Sequence, residues 1–418
     1  MPTKITDHKQ LEKVYNYPFI EAFVRRRSRR LGLGSKIDHG PLTYKSSKEP
    51  IPLNSLETAL VCYAGGGSTG VALGDGDLTH GINAMMQWSS RTFASPCNNH
   101  QTKLLFTNDA GIYVYKPREA QKIAEVTTLD DLKERVQDFD KEVIKVKDGR
   151  LEIPDGPPAL LMLNKGMVNR PGQTVFMPIV HPSYELIDMA MTAFQYEHWN
   201  IVDDNGKPAG TEKWVDKLKL GLKIPISVLE KNLLVGCSLE AGFMCQNIML
   251  MAQALGLGAF PLSGFTPIIA MGGTPVTKGC GFRFTTDKKR MPNPVGIDGV
   301  LEGYCPPYKN MNEAVDTIIE QKFGSCGIFT TASKQIPYLN KTSVTEVDKI
   351  PDDVIQCTKD FCNYVYESYG RFPGTVDSMS MPIWVVVHHI DIDFYGKFYP
   401  SEAVTETQRN HMADWHSS

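Results

Sequence analysis

The hydrophobic pattern is clearest from residue 238 to 255, where Leu239, Phe243, Ile248, Met249, Leu250, Met251 and Leu255 occupy most of a helix circumference. Ser238 reads as its N-cap, Glu240 lies in the positive first turn, and Gly256 is the stop. A helix apolar on nearly all sides belongs in a core or a subunit interface. Gln246 and Gln253 share one face of it and need partners if buried. From Lys103 to Tyr115 the pattern is that of two strands: Leu104, Leu105, Phe106, Ile112 and Val114 flank Asn108-Asp109-Ala110-Gly111, a tight turn. Further helices are predicted over 7–31, 56–63, 129–139, 184–196 and 354–369, and a strand over 384–394. The first ends in the basic run Arg25 to Arg30 before Gly32 and Gly34, the second at Ala64 to Gly70, where three consecutive glycines make continued helix costly. Asp203 to Pro208 is a strong loop signal, and an acidic linker surrounds Glu346 to Asp353. Residues 1–330 read as one domain in which 150–235 is a lid or insertion, with 331–418 as a C-terminal extension packed on the core. There are no internal repeats.

Composition narrows this picture. A chain of 418 residues, 42% hydrophobic, can bury a substantial core as one large or two ordinary domains. The net charge of -3, from 44 basic and 47 acidic residues, gives no overall reason to expect nucleic acid or an anionic membrane as partner. No stretch looks like the roughly 20 apolar residues of a membrane helix, and the start lacks a secretory signal, so a soluble cytoplasmic protein is expected. The nine cysteines are odd in number, scattered and never in Cys-x-x-Cys spacing, which favours reduced thiols over disulfides or a zinc site.

Four segments carry candidate chemistry. Arg26-Arg27-Ser28-Arg29-Arg30 offers the guanidinium and hydroxyl donors that a phosphate needs, or is a solvated basic helix end. Ser95-Pro96-Cys97-Asn98-Asn99-His100-Gln101 is a polar loop whose amides suit the donor and acceptor edge of a flavin pyrimidine, or cap their own backbone. Ala254 to Phe265 is a helix stop, a short strand and a glycine turn; Gly264 would let a flat ligand approach the main chain, or is punctuation. Lys288-Lys289-Arg290 is a second phosphate-binding candidate or a solvated loop.

In this order the four segments resemble the nitroreductase-like FMN family. Arg26, Ser28 and Arg30 are similar to its N-terminal Arg-x-Ser-x-(Arg/Lys) signature. Asn99 and Gln101, beside Cys97, look like the Asn-x-Gln of a loop that the family supplies from the partner subunit, although Ser95-Pro96 inverts the usual Pro-Ser and Thr102-Lys103 replaces Pro-Trp. Pro261, Leu262, Ser263 and Gly264 fall on the stretch that lies along the isoalloxazine near N5, and Lys288 and Arg290 resemble the late phosphate-binding pair. The spacing of 64–70, 95–101 and 111–115 is closer to the larger SagB-type branch, whose catalytic Lys-Tyr pair has no counterpart here.

The resemblance implies an α+β nitroreductase-like fold, a central, mostly antiparallel sheet flanked by helices, with insertions and a C-terminal extension. It implies a homodimer holding FMN at the subunit interface, a small conjugated organic substrate, and NAD(P)H or oxygen as redox partner. If a proton donor is needed, His100, His181, Tyr196 and His198 are the candidates. Two rival readings remain: a tailoring dehydrogenase or oxidase that introduces a double bond, and a flavin-binding or flavin-fragmenting protein without turnover. In the predicted strand 384–394, His389, Asp391 and Asp393 would share one face, which His411 and His416 could join as metal ligands. The competing reading is a polar outer face opposite Ile390, Ile392 and Phe394, and no metal is predicted.

Overall fold

The computed structural model describes residues 8–304 and 310–416, so Cys305 lies outside the described residues. Its centre is a six-stranded sheet of β1 (Lys103–Asn108), β2 (Gly111–Tyr115), β3 (Val143–Asp148), β4 (Thr174–Ile179), β5 (Gly258–Leu262) and β6 (Trp384–His388). The order is β5-β6-β4-β1-β2-β3, with every neighbouring pair antiparallel. Side chains alternate across it as the pleat requires. Leu104, Phe106, Phe176, Val385 and Val387 face one core, and Leu105, Val175, Met177, Trp384 and Val386 the other. The β1–β2 hairpin closes as the sequence indicates, with Asn108 Oδ1 accepting from Ala110 N at 2.9 Å.

Ten helices of seven residues or more are described: α1 (His8–Tyr15), α2 (Phe19–Arg25), α3 (Ser55–Gly66), α4 (Leu129–Gln137), α5 (Pro182–Gln195), α6 (Ile226–Leu255), α7 (Met311–Phe323), α8 (Asp352–Tyr369), α9 (Ile392–Phe398) and α10 (Glu406–Trp415). Helices α3 and α6 cover one face of the sheet, while α5, α7 and α8 enclose a separate apolar core against the start of α6.

Several boundaries differ from those expected. Pro18 divides the first helix, leaving α1 and α2, and the basic run from Arg26 onward is extended. Helix α6 starts twelve residues before Ser238, whose hydroxyl donates back to Leu234 O instead of capping. At 30 residues, with an 18-residue window of mean hydropathy 1.4, α6 is the one helix among those described that is long and apolar enough to cross a membrane. It is woven into the core: Glu230, buried within it, accepts from Gly374 N at 2.7 Å and Thr375 N at 2.6 Å. The last strand stops at His388, because Asp391 turns its carboxylate to Asp393 N and Phe394 N and caps α9. Segment 150–235, expected as a lid, supplies β4 to the interior of the sheet, and segment 331–418 supplies β6 beside it. Neither is peripheral as a whole.

Candidate active site

The polar loop before β1 is built on two left-handed residues, Asn98 (φ 53°) and His100 (φ 48°), an uncommon backbone for side chains with a Cβ. Ser95 Oγ accepts from Asn99 N and His100 N, at 3.1 and 3.3 Å, and holds the turn. That geometry aims Asn99 inward, where its amide donates to Glu185 Oε2 at 2.7 Å and Asp188 Oδ2 at 3.1 Å. Gln101 donates to Asn99 O and Oδ1, at 2.8 and 3.2 Å. Both amides are buried and committed within the chain, so they do not present the pyrimidine-binding edge expected of them.

What they organise is a buried pair of carboxylates one helical turn apart on α5. Burial, followed by the charge of Asp188, pushes the Glu185 carboxyl up to about 7 against the pull of Asn99 and Cys97. Burial lifts Asp188 to about 6, although the Lys322 ammonium lies 3.5 Å away, and the same desolvation pulls Lys322 down. Glu185 lines an apolar cavity of about 250 Å³ together with Cys97, Met189, Trp199, Leu229 and Glu240. Burial, then Glu185, pushes the Cys97 thiol up to about 12, so it is not a thiolate nucleophile at neutral pH. A carboxyl raised toward neutrality in an apolar cavity can take or give a proton there. The sequence reading missed Glu185, because Glu and Asp three apart on a helix look like a solvated face.

On the other side of the loop a smaller cavity, about 120 Å³, is lined by His100, Lys103, Arg91, Phe93 and Tyr115. Burial, then Arg91 and Lys103, lowers His100 to about 4, and burial, then Arg91, lowers Lys103 to about 8. His100 is therefore neutral at pH 7, with its Nε2 on Asn98 Oδ1 at 3.1 Å, and makes a poor proton donor. His181 is buried against Tyr184 and Tyr304 and lowered to about 3 by burial. Tyr196 reaches Asp348 at 3.5 Å and His198 reaches Leu218 O at 2.9 Å; neither lines these two cavities.

The first and third expected segments do meet. Ser28 pairs in parallel with Ala259 of β5, Arg29 N donates to Ala259 O at 3.2 Å, and the Arg30 guanidinium stands 5.2 Å from the Phe260 ring centre. Arg29 alone turns inward, donating to Ala403 O at 3.0 Å and Gln253 Oε1 at 3.2 Å, and burial lowers it to about 10. Ser28 and Arg30 are exposed and Arg26 half-buried. Pro261 and Leu262 complete edge strand β5, and Ser263 is exposed beyond it. Gly264 is already covered: its carbonyl accepts from Leu161 N and Asn164 Nδ2, both at 3.0 Å, and a Cβ there would stand 2.6 Å from that same amide nitrogen. Its glycine requirement comes from this turn, which leaves Leu161, Met162 and Leu163 exposed. Lys288 and Arg290 are exposed in a turn against Tyr369 and Arg371, whereas residues 28–30 contact Ala259, Gln253 and Ala403, so the two basic groups have different neighbours.

The raised Glu185 carboxyl has a measurable consequence. Its protonation in the folded state contributes stability that is fully present below its ordinary value of 4.5 and lost as pH rises through about 7. Glu185→Gln is expected to be more stable than the parent chain above that range, by up to about 3 kcal/mol, and to flatten the profile. Urea unfolding near pH 5 and near pH 8 reads this, and parallel profiles for the two proteins would refute it.

No family model matches the chain, and no curated protein is similar to it. Among solved structures it is similar to one from Ralstonia eutropha JMP134 whose nitroreductase assignment is itself provisional, at 15% identity over 60% of this chain and 71% of that one, with a TM-score of 0.25.

Proposed function

We propose that the chain is an FMN-dependent oxidoreductase of nitroreductase-like build, acting on a small conjugated organic molecule and working as a homodimer. The observation that carries this reading is the pairing of Ser28 with Ala259, which sets the Arg26-x-Ser28-x-Arg30 signature against the strand leading to Ser263 and Gly264. Guanidinium groups from Arg26 and Arg30, with the Ser28 hydroxyl, fit a phosphate. FMN, when bound, supplies hydride transfer at N5. The chain's part is to hold the phosphate, exclude water and keep a proton-active group near the reacting molecule.

Within one copy that group is remote. Arg29 contacts α6 at Gln253 and the Glu185 cavity contacts it at Cys237, so the two lie about 24 Å apart along a helix rising 1.5 Å per residue. Val228, Val235, Leu239 and Phe243 make an exposed apolar stripe on α6, extended by Phe19, Ile20, Phe23 and Val24 of the adjoining α2. Such a patch on a soluble chain marks an interface. Two α6 helices packed on this stripe would also cover the mouth of the Glu185 cavity, because Val228 belongs to both stripe and cavity wall.

Glu185 also favours a second reading, oxidation that introduces a double bond, because removal of a hydride from carbon is paired with removal of a proton. Anaerobic spectra of the FMN-loaded protein separate the two. Rapid bleaching by NAD(P)H, with turnover of a nitroarene or quinone, is the expected result. Bleaching by neither nicotinamide, with reoxidation by oxygen after an organic substrate has reduced the protein, would favour the second reading. A protein that refuses FMN would end both.

A further inference from the structure

Outside that site, four potential metal ligands converge from three distant parts of the chain. Glu57 sits in the first turn of α3, where its Oε2 accepts from Asn54 N at 2.7 Å in a capping box and its Oε1 turns the other way. That Oε1 lies 3.3 Å from His389 Nε2, 2.9 Å from His411 Nε2 and 3.0 Å from His416 Nε2. His389 Nε2 and His416 Nε2 are themselves 3.0 Å apart.

The hydrogen bonds on the far side of two rings decide what these atoms are. His389 Nδ1 stands 2.8 Å from Ile51 O and His411 Nδ1 2.7 Å from Leu255 O. A carbonyl only accepts, so each Nδ1 carries a proton, and the neutral form of each ring turns an Nε2 lone pair inward. Lone pairs of two imidazoles thus face a carboxylate oxygen in a buried space, and like partial charges repel unless a cation lies between them. Consistent with this, His411 Nε2 is buried and has no hydrogen-bond partner among the described residues, although Glu57 Oε1 is close by. Backbone carbonyls on Nδ1 are also how proteins orient imidazoles toward a metal.

We propose that Glu57, His389, His411 and His416 form a structural site for a divalent transition metal of zinc type. Three imidazole nitrogens and one carboxylate oxygen are a donor set that such ions accept. A tetrahedral ion with bonds of about 2.0–2.1 Å holds its ligand atoms roughly 3.3 Å apart. The Glu57 oxygen lies 2.9–3.3 Å from the three nitrogens, close to that spacing, and all four atoms lie within 4.8 Å of one another. Four protein ligands close the coordination shell, which marks a structural role. The ion ties the start of α3 to the end of β6 and to α10, clamping the C-terminal part onto the N-terminal core. The sequence reading grouped His389 with Asp391 and Asp393 and expected no metal. In the structure Asp391 caps α9 and Asp393 pairs with Lys48, while the fourth ligand is Glu57, more than 330 positions from His389.

The test is titration of the chelator-stripped full chain with zinc alone, read by metal content and thermal stability. One zinc per chain and a raised Tm are expected. His416→Ala, at the rim where 18% of the side chain is exposed, is expected to stay folded and to bind zinc at least about 100-fold more weakly. Glu57→Gln, whose amide oxygen can still accept from Asn54 N, is expected to do the same. Parent protein that takes up no zinc, or His416→Ala that binds it as tightly, overturns the site. So does a zinc-free chain that gains stability only as the imidazoles protonate, because protons would then fill the place assigned to the metal.

Discussion

Lys322→Met is expected to destabilise the folded chain by about 3–5 kcal/mol, the cost of leaving a buried charge without its partner. Lys322 is fully buried, with Nζ 3.5 Å from Asp188 Oδ2 and 3.5 Å from Met86 O. Asp188 is equally buried, and its Oδ1 has no hydrogen-bond partner among the described residues. Without the ammonium, the one donor left to that carboxylate among the described residues is the Asn99 amide, which Glu185 shares. The loss is therefore expected to shrink at acid pH, where Asp188 takes a proton, and Lys322→Met combined with Asp188→Asn is expected to recover most of it. Urea unfolding of both single variants and the double variant makes the cycle. A loss below about 1 kcal/mol for Lys322→Met would mean that the pair is not buried as described.

The second large effect is expected at the α6 stripe. Leu239 is 49% exposed in the single chain, so Leu239→Glu leaves monomer stability within about 0.5 kcal/mol. In a two-fold dimer built on this stripe, the new carboxylate is desolvated and, near the axis, meets its own copy. Like charges brought together at an interface cost several kcal/mol, so dimer dissociation is expected to rise by at least about 100-fold. On the functional reading above, FMN affinity falls with it, because the resemblance places the flavin at the subunit interface that is then lost. Sedimentation velocity of parent and variant reads the first effect and a flavin titration the second. A parent chain that stays monomeric at high concentration would remove the dimer from the account.

Much of the fold is written locally. The β1–β2 hairpin follows from alternation and an Asn-led turn, and Gly256 ends α6 in a left-handed cap (φ 82°) as a helix-stopping glycine does. The start of α6 was not legible, because Gly236 and Ser238 look like breaks until the flanking residues 226–235 are seen to pack against α5, α7 and α8. Strand β6 was read too long, because Asp391 looks like an outward polar residue until it caps α9. The chemistry was less legible still. The arginine segment could be found because three donors lie within five residues. Glu185, Asp188 and Lys322 could not, because only burial sets them apart from ordinary surface residues. Glu57 was invisible for the same reason: a capping-box glutamate is a common device, and nothing near it in sequence announces the three histidines.

The central claim is that Arg26, Ser28 and Arg30 hold the phosphate of a flavin mononucleotide, and riboflavin is its natural control because it lacks that phosphate. Equilibrium titration of the full chain is predicted to show FMN bound at least about 100-fold more tightly than riboflavin, with the difference largely abolished in Arg26→Ala/Arg30→Ala and kept in Lys288→Ala/Arg290→Ala. Equal affinity for the two flavins, or a preference for FMN that survives loss of both Arg26 and Arg30, would contradict it.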